Sequence, residues 1–456
     1  MNLIVAFTSN LGIGKDNNVP WYISEDLKRF STLTQNSAVI MGRKTWQSLP
    51  QKPLKNRLNI IITSEPDKYT SDKDTVFIDY KNIDDYLLNI EMPIYIIGGS
   101  DIYNYFINRV DVIYATMIEK EYDCDTFFKV NNFDKFEIDK YSEKKYSEHE
   151  KCHYRYINYI KSDKPHEEHK YLHLMNDILY SGKTERPDRT GVGTLSNFGV
   201  SQTYDISGSV PFLTTKKLAW KTVLKELLFF LRGETDSKIL EKQGVNIWKG
   251  NTSREFLDKR GLTQYPEGSM GPMYGYNLLH WNYPYQGPDH DYTDKGYNQI
   301  TELLKNLKED PYSRRHLLTT YNPEIVKDSV LCPCHGISIQ FYVEDDNMLS
   351  CHVYNRSQDS FLGMPFNIAS YAILTYIIAK KVNMKPHKLI MTSGDTHIYT
   401  NHFDQVNTQL TRIPFPFPVL ELSETIKDKD MKDINIDDFE LIGYLHHPPI
   451  KAPMAI

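Results

Sequence analysis

The chain has 456 residues, 40% of them hydrophobic and 25% charged, with a formal charge of -6 at pH 7. That length exceeds what one hydrophobic core usually supports, so two domains are expected, and the composition excludes a largely disordered or fibrous chain. An acidic balance offers no surface to neutralise a polyanion, which excludes a nucleic-acid partner and favours small phosphates held by a few placed cations.

In chain order, the first residues run directly into an apolar β-branched segment at 3–7, without the features of a targeting segment, so export is not expected. Apolar β-branched runs at 3–7, 38–41, 58–63, 93–97 and 112–116 alternate with helical patterns, notably 25–33 and 101–108. This alternation predicts an α/β domain with a mixed, mostly parallel sheet and crossover helices. Residues 136–160 alternate apolar and charged side chains, as in an antiparallel hairpin completing the sheet. The first domain is therefore assigned to 1–160. A polar stretch with one proline, 161–169, reads as a short linker, and a periodic helix starts near Tyr171 with Leu172, Met175 and Leu179. Over 170–456, long helices at 218–231 and 366–381 mix with strands at 336–343 and 348–354, which predicts an α+β domain. The longest apolar stretch, 368–379, contains Ser370, Tyr371, Thr375 and Tyr376. It is shorter than the ~20 residues that span a bilayer, so a buried helix and no membrane partner are expected. Five cysteines, an odd number, fit a reducing compartment, and a cytoplasmic protein is expected.

In the first domain, a glycine loop with Ile13 and Gly14 follows strand one, and Ser24 is placed to cap the next helix. That helix carries Asp26, Leu27 and Phe30. A carboxylate at the edge of an apolar face is ordinarily a solvated residue. Its functional alternative is a buried acid bound to a flat, amidine-like heterocycle that Phe30 covers. Gly42 closes a strand before a helix whose first turn holds Arg43, Lys44 and Thr45, a phosphate-binding arrangement. Gly98 and Gly99 follow another strand, with Ser100 as the expected cap; by itself this pair is more often tight-turn packing.

Val19-Pro-Trp21, Asp26, Phe30, Gly42-Arg-Lys-Thr-Trp46, Arg57 and Ile97-Gly-Gly99 resemble dihydrofolate reductase in order and spacing over about 1–160. The resemblance implies that Asp26 promotes protonation of the pterin, with Thr116 in support. Phe30 would pack on folate and Arg57 would hold its glutamate carboxylate bidentately. NADPH is the implied cofactor, at Arg43, Lys44, Thr45, Ser64, Gly98 and Gly99, with Ala6, Ile13 and Gly14 at the nicotinamide cleft. Glu65 and Asp101 stand near positions where some relatives place neutral or basic side chains, so the NADPH preference rests on Arg43, Lys44 and Ser64.

In the second domain, Leu331-Cys-Pro-Cys-His335 and Ser350-Cys-His352 first suggest zinc. Strand neighbours point to opposite faces, however, so Cys351 and His352 do not readily share an ion, and no metal is expected. The alternative is a nucleophilic cysteine, whose thiolate needs positive charge nearby. Arginines in Asp188-Arg-Thr-Gly191, Ser313-Arg-Arg-His316 and Asn355-Arg-Ser-Gln-Asp359 supply it, and four of them suit a small dianionic phosphate. Glu226 shares the apolar face of Val223 and Phe230, where an unpaired carboxylate is costly; a partly exposed helix Glu is the alternative.

With 361–371 and 393–399, these motifs resemble thymidylate synthase over about 171–456. The resemblance implies that Cys334 attacks C6 of dUMP and that C5 then takes the one-carbon unit of 5,10-methylenetetrahydrofolate. It assigns the phosphate to Arg189, Arg314, Arg315, Arg356 and Ser357, the uracil edge to Asn367, and the deoxyribose to His397 and Tyr399. Asp359 lies in the nucleotide set and matches the pterin-binding acid; Trp248, Asn251 and Ile456 belong to the folate side. Proton transfer falls to Glu226 with Tyr274 and His335, burial raising the Glu226 pKa. A homodimer through the synthase domain is implied, with Arg314 and Arg315 crossing to the partner. Asn355, Gln358 and His316 depart from the commonest residues of the family. Together the halves resemble a bifunctional dihydrofolate reductase–thymidylate synthase, in which one domain consumes the dihydrofolate that the other releases. A zinc-stabilised nucleotide-binding module, a chain with one inactive domain and a pyrimidine hydroxymethylase remain the alternatives.

Overall fold

A computed structural model of the chain describes residues 1–180, 186–188 and 190–454. It divides into two compact units, Met1–His166 with Ile413–Pro416, and Glu167–Arg412 with Phe417–Ile456.

The first unit is built on a nine-stranded sheet. Its parallel part comprises β1 (Asn2–Thr8), β3 (Ser37–Gly42), β4 (Arg57–Ile62), β5 (Thr75–Ile78), β6 (Ile94–Gly98) and β7 (Val112–Ile118). The connections carry α1 (Ser24–Leu33), α2 (Arg43–Ser48), α3 (Ile83–Leu87) and α4 (Ser100–Phe106). Ala38, Val39, Ile40 and Met41 are all fully buried, as expected where helices cover both faces of a parallel sheet. The sheet ends antiparallel: β11 (Cys152–Lys161) pairs β7 and receives β9 (Phe136–Tyr141) and β10 (Lys145–Ser147), so the expected hairpin is three strands. The sequence patterns missed β5 and the short pair β2 (Gly12–Gly14) and β8 (Thr126–Phe127), and in the second unit the strands at Thr194–Asp205, Leu317–Leu318 and Lys385–Tyr399.

Two expected caps are absent. Ser24 is the first residue of α1, which is capped at Ile23 without a side-chain bond, and its hydroxyl donates to Glu25 instead. The N-cap of α4 is Gly99, and Ser100 donates to the Phe127 carbonyl at 2.8 Å. In both, the serine sits one position too far into the helix for its hydroxyl to reach the free N–H groups.

The second unit opens with α5 (Glu168–Tyr180). Its sheet runs in the order β12 (Thr194–Asp205), β16 (Lys385–Tyr399), β15 (Met348–Asp359), β14 (Ser338–Glu344) and β13 (Leu317–Leu318). β15 and β16 are parallel, joined by α11 (Gly363–Lys381), and the other pairs are antiparallel. Ile368, Ala369, Ala372, Ile373, Ile377 and Ile378 of α11 are fully buried, so the long apolar stretch is the core helix expected. No helix among the described residues is long and apolar enough to cross a membrane. α6 (Trp220–Leu231) packs on α11 and on a short helix, Gly275–Leu279, that carries Tyr274 at its N-terminus. All five cysteines are free thiols.

Candidate active sites

In the first unit, Asp26 is half-buried on α1 and accepts a 2.5 Å hydrogen bond from Thr116 of β7. Burial raises the Asp26 pKa, while the Thr116 bond and the Arg29 guanidinium pull it down. Arg29 had no role in the sequence reading. It donates to Thr116 Oγ1 at 3.3 Å and Asn158 Oδ1 at 3.2 Å, and lies 4.3 Å from the Tyr156 ring centroid. Only its spacing from Asp26, three residues on the same helix, hinted at a pairing.

Phe30 and Arg57 come together, the guanidinium carbon 5.7 Å from the ring centroid, and Arg57 donates to Ser31 at 3.3 Å. Arg57 Nε is buried without a hydrogen-bond partner among the described residues, as expected of a cation awaiting an anion. No residue of α1 is fully buried, and Leu27 is exposed.

Gly42 and Gly98 end neighbouring strands in the sheet. Gly98 has φ +124°, and a Cβ there would lie 3.2 Å from Tyr103 Oη, so the backbone is left bare. Arg43 is half-buried and bonds Gln47 at 3.0 Å, Lys44 and Ser64 are exposed, and Thr45 Oγ1 lies 3.5 Å from where a Gly99 Cβ would be. Ala6 and Ile13 are half-buried on β1 and β2, with Gly14 at the end of β2. Two cations, hydroxyls and bare glycine backbone make a donor set that suits a phosphorylated dinucleotide.

In the second unit, Cys334 lies on the loop before β14, and its N–H donates to Tyr274 Oη at 3.3 Å. The same hydroxyl is 3.5 Å from Cys334 Sγ. Tyr274 is buried and has φ 45° and ψ -106°, an unusual backbone for an L residue and a form of strain found at functional sites. Its ring stacks on His335 at 4.5 Å, and His335 Nδ1 meets Tyr371 Oη at 2.8 Å. Burial pushes the His335 pKa down to about 4, so the imidazole is neutral at physiological pH. Gly336 has φ +61°, and any Cβ would come within 2.1 Å of Tyr371 Oη.

Glu226 accepts a 2.8 Å hydrogen bond from Trp248 Nε1. Burial pushes its pKa up to about 7, with the Trp248 bond opposing. Burial also raises the Cys334 thiol, against the expectation of a cation-stabilised thiolate; Tyr274 and Arg356 pull the other way. Arg356 donates to the carbonyls of Pro333 and Cys332 at 3.3 and 3.4 Å, and Ser357 N–H donates to the Cys334 carbonyl at 3.2 Å.

Asp359 Oδ1 accepts from the N–H groups of Phe361 and Leu362 at 2.9 and 3.2 Å, fixing the turn into α11. Asn367 is buried in α11 and donates to Gln358 Oε1 at 3.1 Å. His397 Nδ1 lies 2.9 Å from Asp395 Oδ1 and packs edge-on against Tyr399. Asn251 is buried. Arg314 and Arg315 are exposed and are not brought to Cys334 by any hydrogen bond or ion pair among the described residues. Arg189 and Ile456 lie outside the described residues.

Cys351 is fully buried and His352 exposed, the opposite faces expected of strand neighbours. The sequence reading missed Tyr371, which is far from His335 in the chain. It also placed Trp248 only on the folate side, not against Glu226.

Residues 1–161 match the dihydrofolate reductase family and residues 169–456 the thymidylate synthase family. Over its whole length the chain is 38% identical to the bifunctional dihydrofolate reductase-thymidylate synthase of Paramecium tetraurelia, covering 98% of that protein. It is 36% identical to the proteins so named from Zea mays and Leishmania major, covering 96% and 95% of them.

Proposed function

The chain belongs to the bifunctional dihydrofolate reductase–thymidylate synthase family, and from that premise we propose how its own residues divide the work. The enzyme methylates dUMP to dTMP with 5,10-methylenetetrahydrofolate in its C-terminal part and reduces the released dihydrofolate in its N-terminal part.

The observation that carries the synthase assignment is the grouping of Cys334, Tyr274, His335 and the Glu226–Trp248 pair around one thiol and one carboxylate. Cys334 Sγ attacks C6 of dUMP, and the enolate-like carbanion at C5 takes the one-carbon unit. The thiol is half-buried and burial raises its pKa, so its proton must leave as the bond to C6 forms; the nearby Tyr274 hydroxyl and Arg356 stabilise the charge that develops. Glu226 titrates near neutrality and moves protons in either direction. Neutral His335, held by Tyr371 and stacked on Tyr274, keeps that hydroxyl on the thiol. Arg356, Ser357 and Arg189 receive the phosphate, Asn367 reads the uracil edge, and His397 and Tyr399 reach the sugar. Trp248, Asn251, Asp359 and Ile456 face the folate.

At the reductase site NADPH, when bound, supplies the hydride. Arg43, Lys44, Thr45, Ser64, Gly98 and Gly99 would hold it, with Ala6, Ile13 and Gly14 beside the ring. Asp26 stays protonated further toward neutrality than an ordinary carboxylic acid because of burial, and Thr116 fixes its orientation. Phe30 covers the pterin, and Arg57 takes the glutamate carboxylate.

The synthase part acts as a homodimer. Tyr342 is 57% and Tyr354 39% exposed on one face of the paired strands β14 and β15, an apolar surface that suits a second copy. Exposed Arg314 and Arg315 are then free to complete the partner's phosphate site. Five free thiols agree with a reducing, cytoplasmic setting.

A double assay tests the division of labour. Cys334→Ala should abolish thymidylate formation, by about 10⁴-fold or more, and spare dihydrofolate reduction. Asp26→Asn should cut reduction about 10²- to 10⁴-fold at neutral pH and spare the synthase. Equal loss of both activities in either folded variant refutes the assignment.

A further inference from the structure

Asn355 and Gln358, two of the residues that depart from the commonest thymidylate synthase pattern, are 0% and 1% exposed. Buried carboxamides must pair their donors and acceptors, and here the pairing has a direction. It starts at the Gly336 N–H, which donates to Asn355 Oδ1 at 3.0 Å. A backbone N–H cannot accept, so it decides which end of the Asn355 amide faces it. Asn355 Nδ2 then donates to Gln358 Oε1 at 2.8 Å, and the same oxygen accepts Asn367 Nδ2 at 3.1 Å. The Gln358 amino group is turned away, toward the Asp359 carbonyl at 3.4 Å. Each amide inherits its orientation from the one before. Asn367 is left with Oδ1 and its second N–H, and Oδ1 has no partner among the described residues.

We propose that Gln358 is a specificity-determining positioning residue, holding the Asn367 carboxamide in the orientation that accepts uracil and rejects cytosine. The inference rests on the reading of Asn367 as the uracil-edge contact. Uracil presents an N3–H donor beside an O4 acceptor, which requires an acceptor beside a donor. Cytosine presents the reverse, an acceptor N3 beside a donor amino group. An unrestrained Asn turns over and serves either base. Here the turned amide sets Asn367 Oδ1 against Gln358 Oε1, two acceptors with no proton between them. Gln358 cannot turn over in response, because Asn355 and the Gly336 N–H hold it.

The test uses the full-length protein and measures the dissociation constants of dUMP and dCMP, with kcat/KM for dUMP, in three variants. Gln358→Met removes the acceptor and keeps the bulk. Asn355→Leu removes the donor that sets Gln358, away from the ligand, and carries the test if the first variant does not fold. Asn367→Asp checks the underlying reading. The expected result is a fall in the dUMP preference over dCMP of about tenfold or more for Gln358→Met, and a smaller fall for Asn355→Leu. A folded Gln358→Met protein that weakens both nucleotides equally, while Asn367→Asp changes their ratio, overturns the role of Gln358 alone. If Asn367→Asp also leaves the ratio unchanged, the uracil-edge reading itself fails.

Discussion

Trp248→Phe isolates the only hydrogen bond that the Glu226 carboxylate makes among the described residues, the 2.8 Å donation from the indole N–H. A bond to a charged acceptor contributes about 1.5–3 kcal/mol, and one pKa unit corresponds to about 1.4 kcal/mol. Glu226 is only half-buried, so the lower end applies, and its pKa should rise by about one unit from its value of about 7. The sign is fixed: the indole N–H favours the ionised form, and its loss favours the acid. Whichever form the chemistry uses, the limb of the synthase pH profile that Glu226 governs moves in the alkaline direction. The assay is thymidylate formation at saturating dUMP and methylenetetrahydrofolate across pH 5 to 9. Trp248 also belongs to the folate side, so the amplitude falls for a second reason, and only the position of the limb is diagnostic. Dihydrofolate reduction by the same protein serves as an internal control. A limb that stays in place in a folded, dUMP-binding variant would falsify the role assigned to this bond.

Arg29→Gln removes the cation that lowers the Asp26 pKa, so the carboxyl should stay protonated to higher pH, and half-maximal dihydrofolate reduction should shift upward by about one unit; an unchanged profile shows that Arg29 only packs. Gly336→Ala places a Cβ against Tyr371 Oη at a positive φ, and should lower stability by about 2 kcal/mol or more, read as an earlier loss of synthase activity in urea. Mixed Cys334→Ala and Arg315→Ala chains should recover about a quarter of normal synthase activity, because half of a random mixture is hybrid dimers with one intact site each. No recovery despite proven hybrids contradicts shared sites.

The central strands of the first sheet were legible because apolar runs such as 38–41 and 60–62 are buried on both faces and leave a continuous signal, whereas in the second sheet only β14 and β15 were read and β12, β13 and β16 were missed. The reacting groups were legible because their motifs are contiguous: Asp26 and Phe30 lie on one helix, and Cys334 and His335 are neighbours. What stayed hidden were contacts made through space. Trp248 lies 22 residues from Glu226, and Tyr371 lies 36 from His335. No periodicity links such pairs, because the loops between them set the approach. The serine caps failed for a local reason. A one-residue shift of the helix start removes the hydroxyl from reach, and sequence does not resolve a boundary that finely.

The two acids follow one physical scheme. Burial raises both Asp26 and Glu226, and the leading opposing influence on each is a neutral donor, Thr116 or Trp248, with the Arg29 cation adding a lesser pull on Asp26. A neutral donor has a different effect from a cation at the same place. It steadies the carboxylate without the strong Coulomb attraction that would keep the group ionised across the working range. The group can therefore both give and accept a proton, which acid–base work requires. The thiol follows the same logic. Arg356, which could have held Cys334 as a thiolate, donates to the Pro333 and Cys332 carbonyls and reaches the sulfur only through space. A resting thiolate would be open to oxidation and to stray electrophiles. In the proposed mechanism Cys334, its thiol pushed up by burial, becomes strongly nucleophilic only as its proton is taken with nucleotide bound. Its reactivity is thereby tied to the presence of substrate.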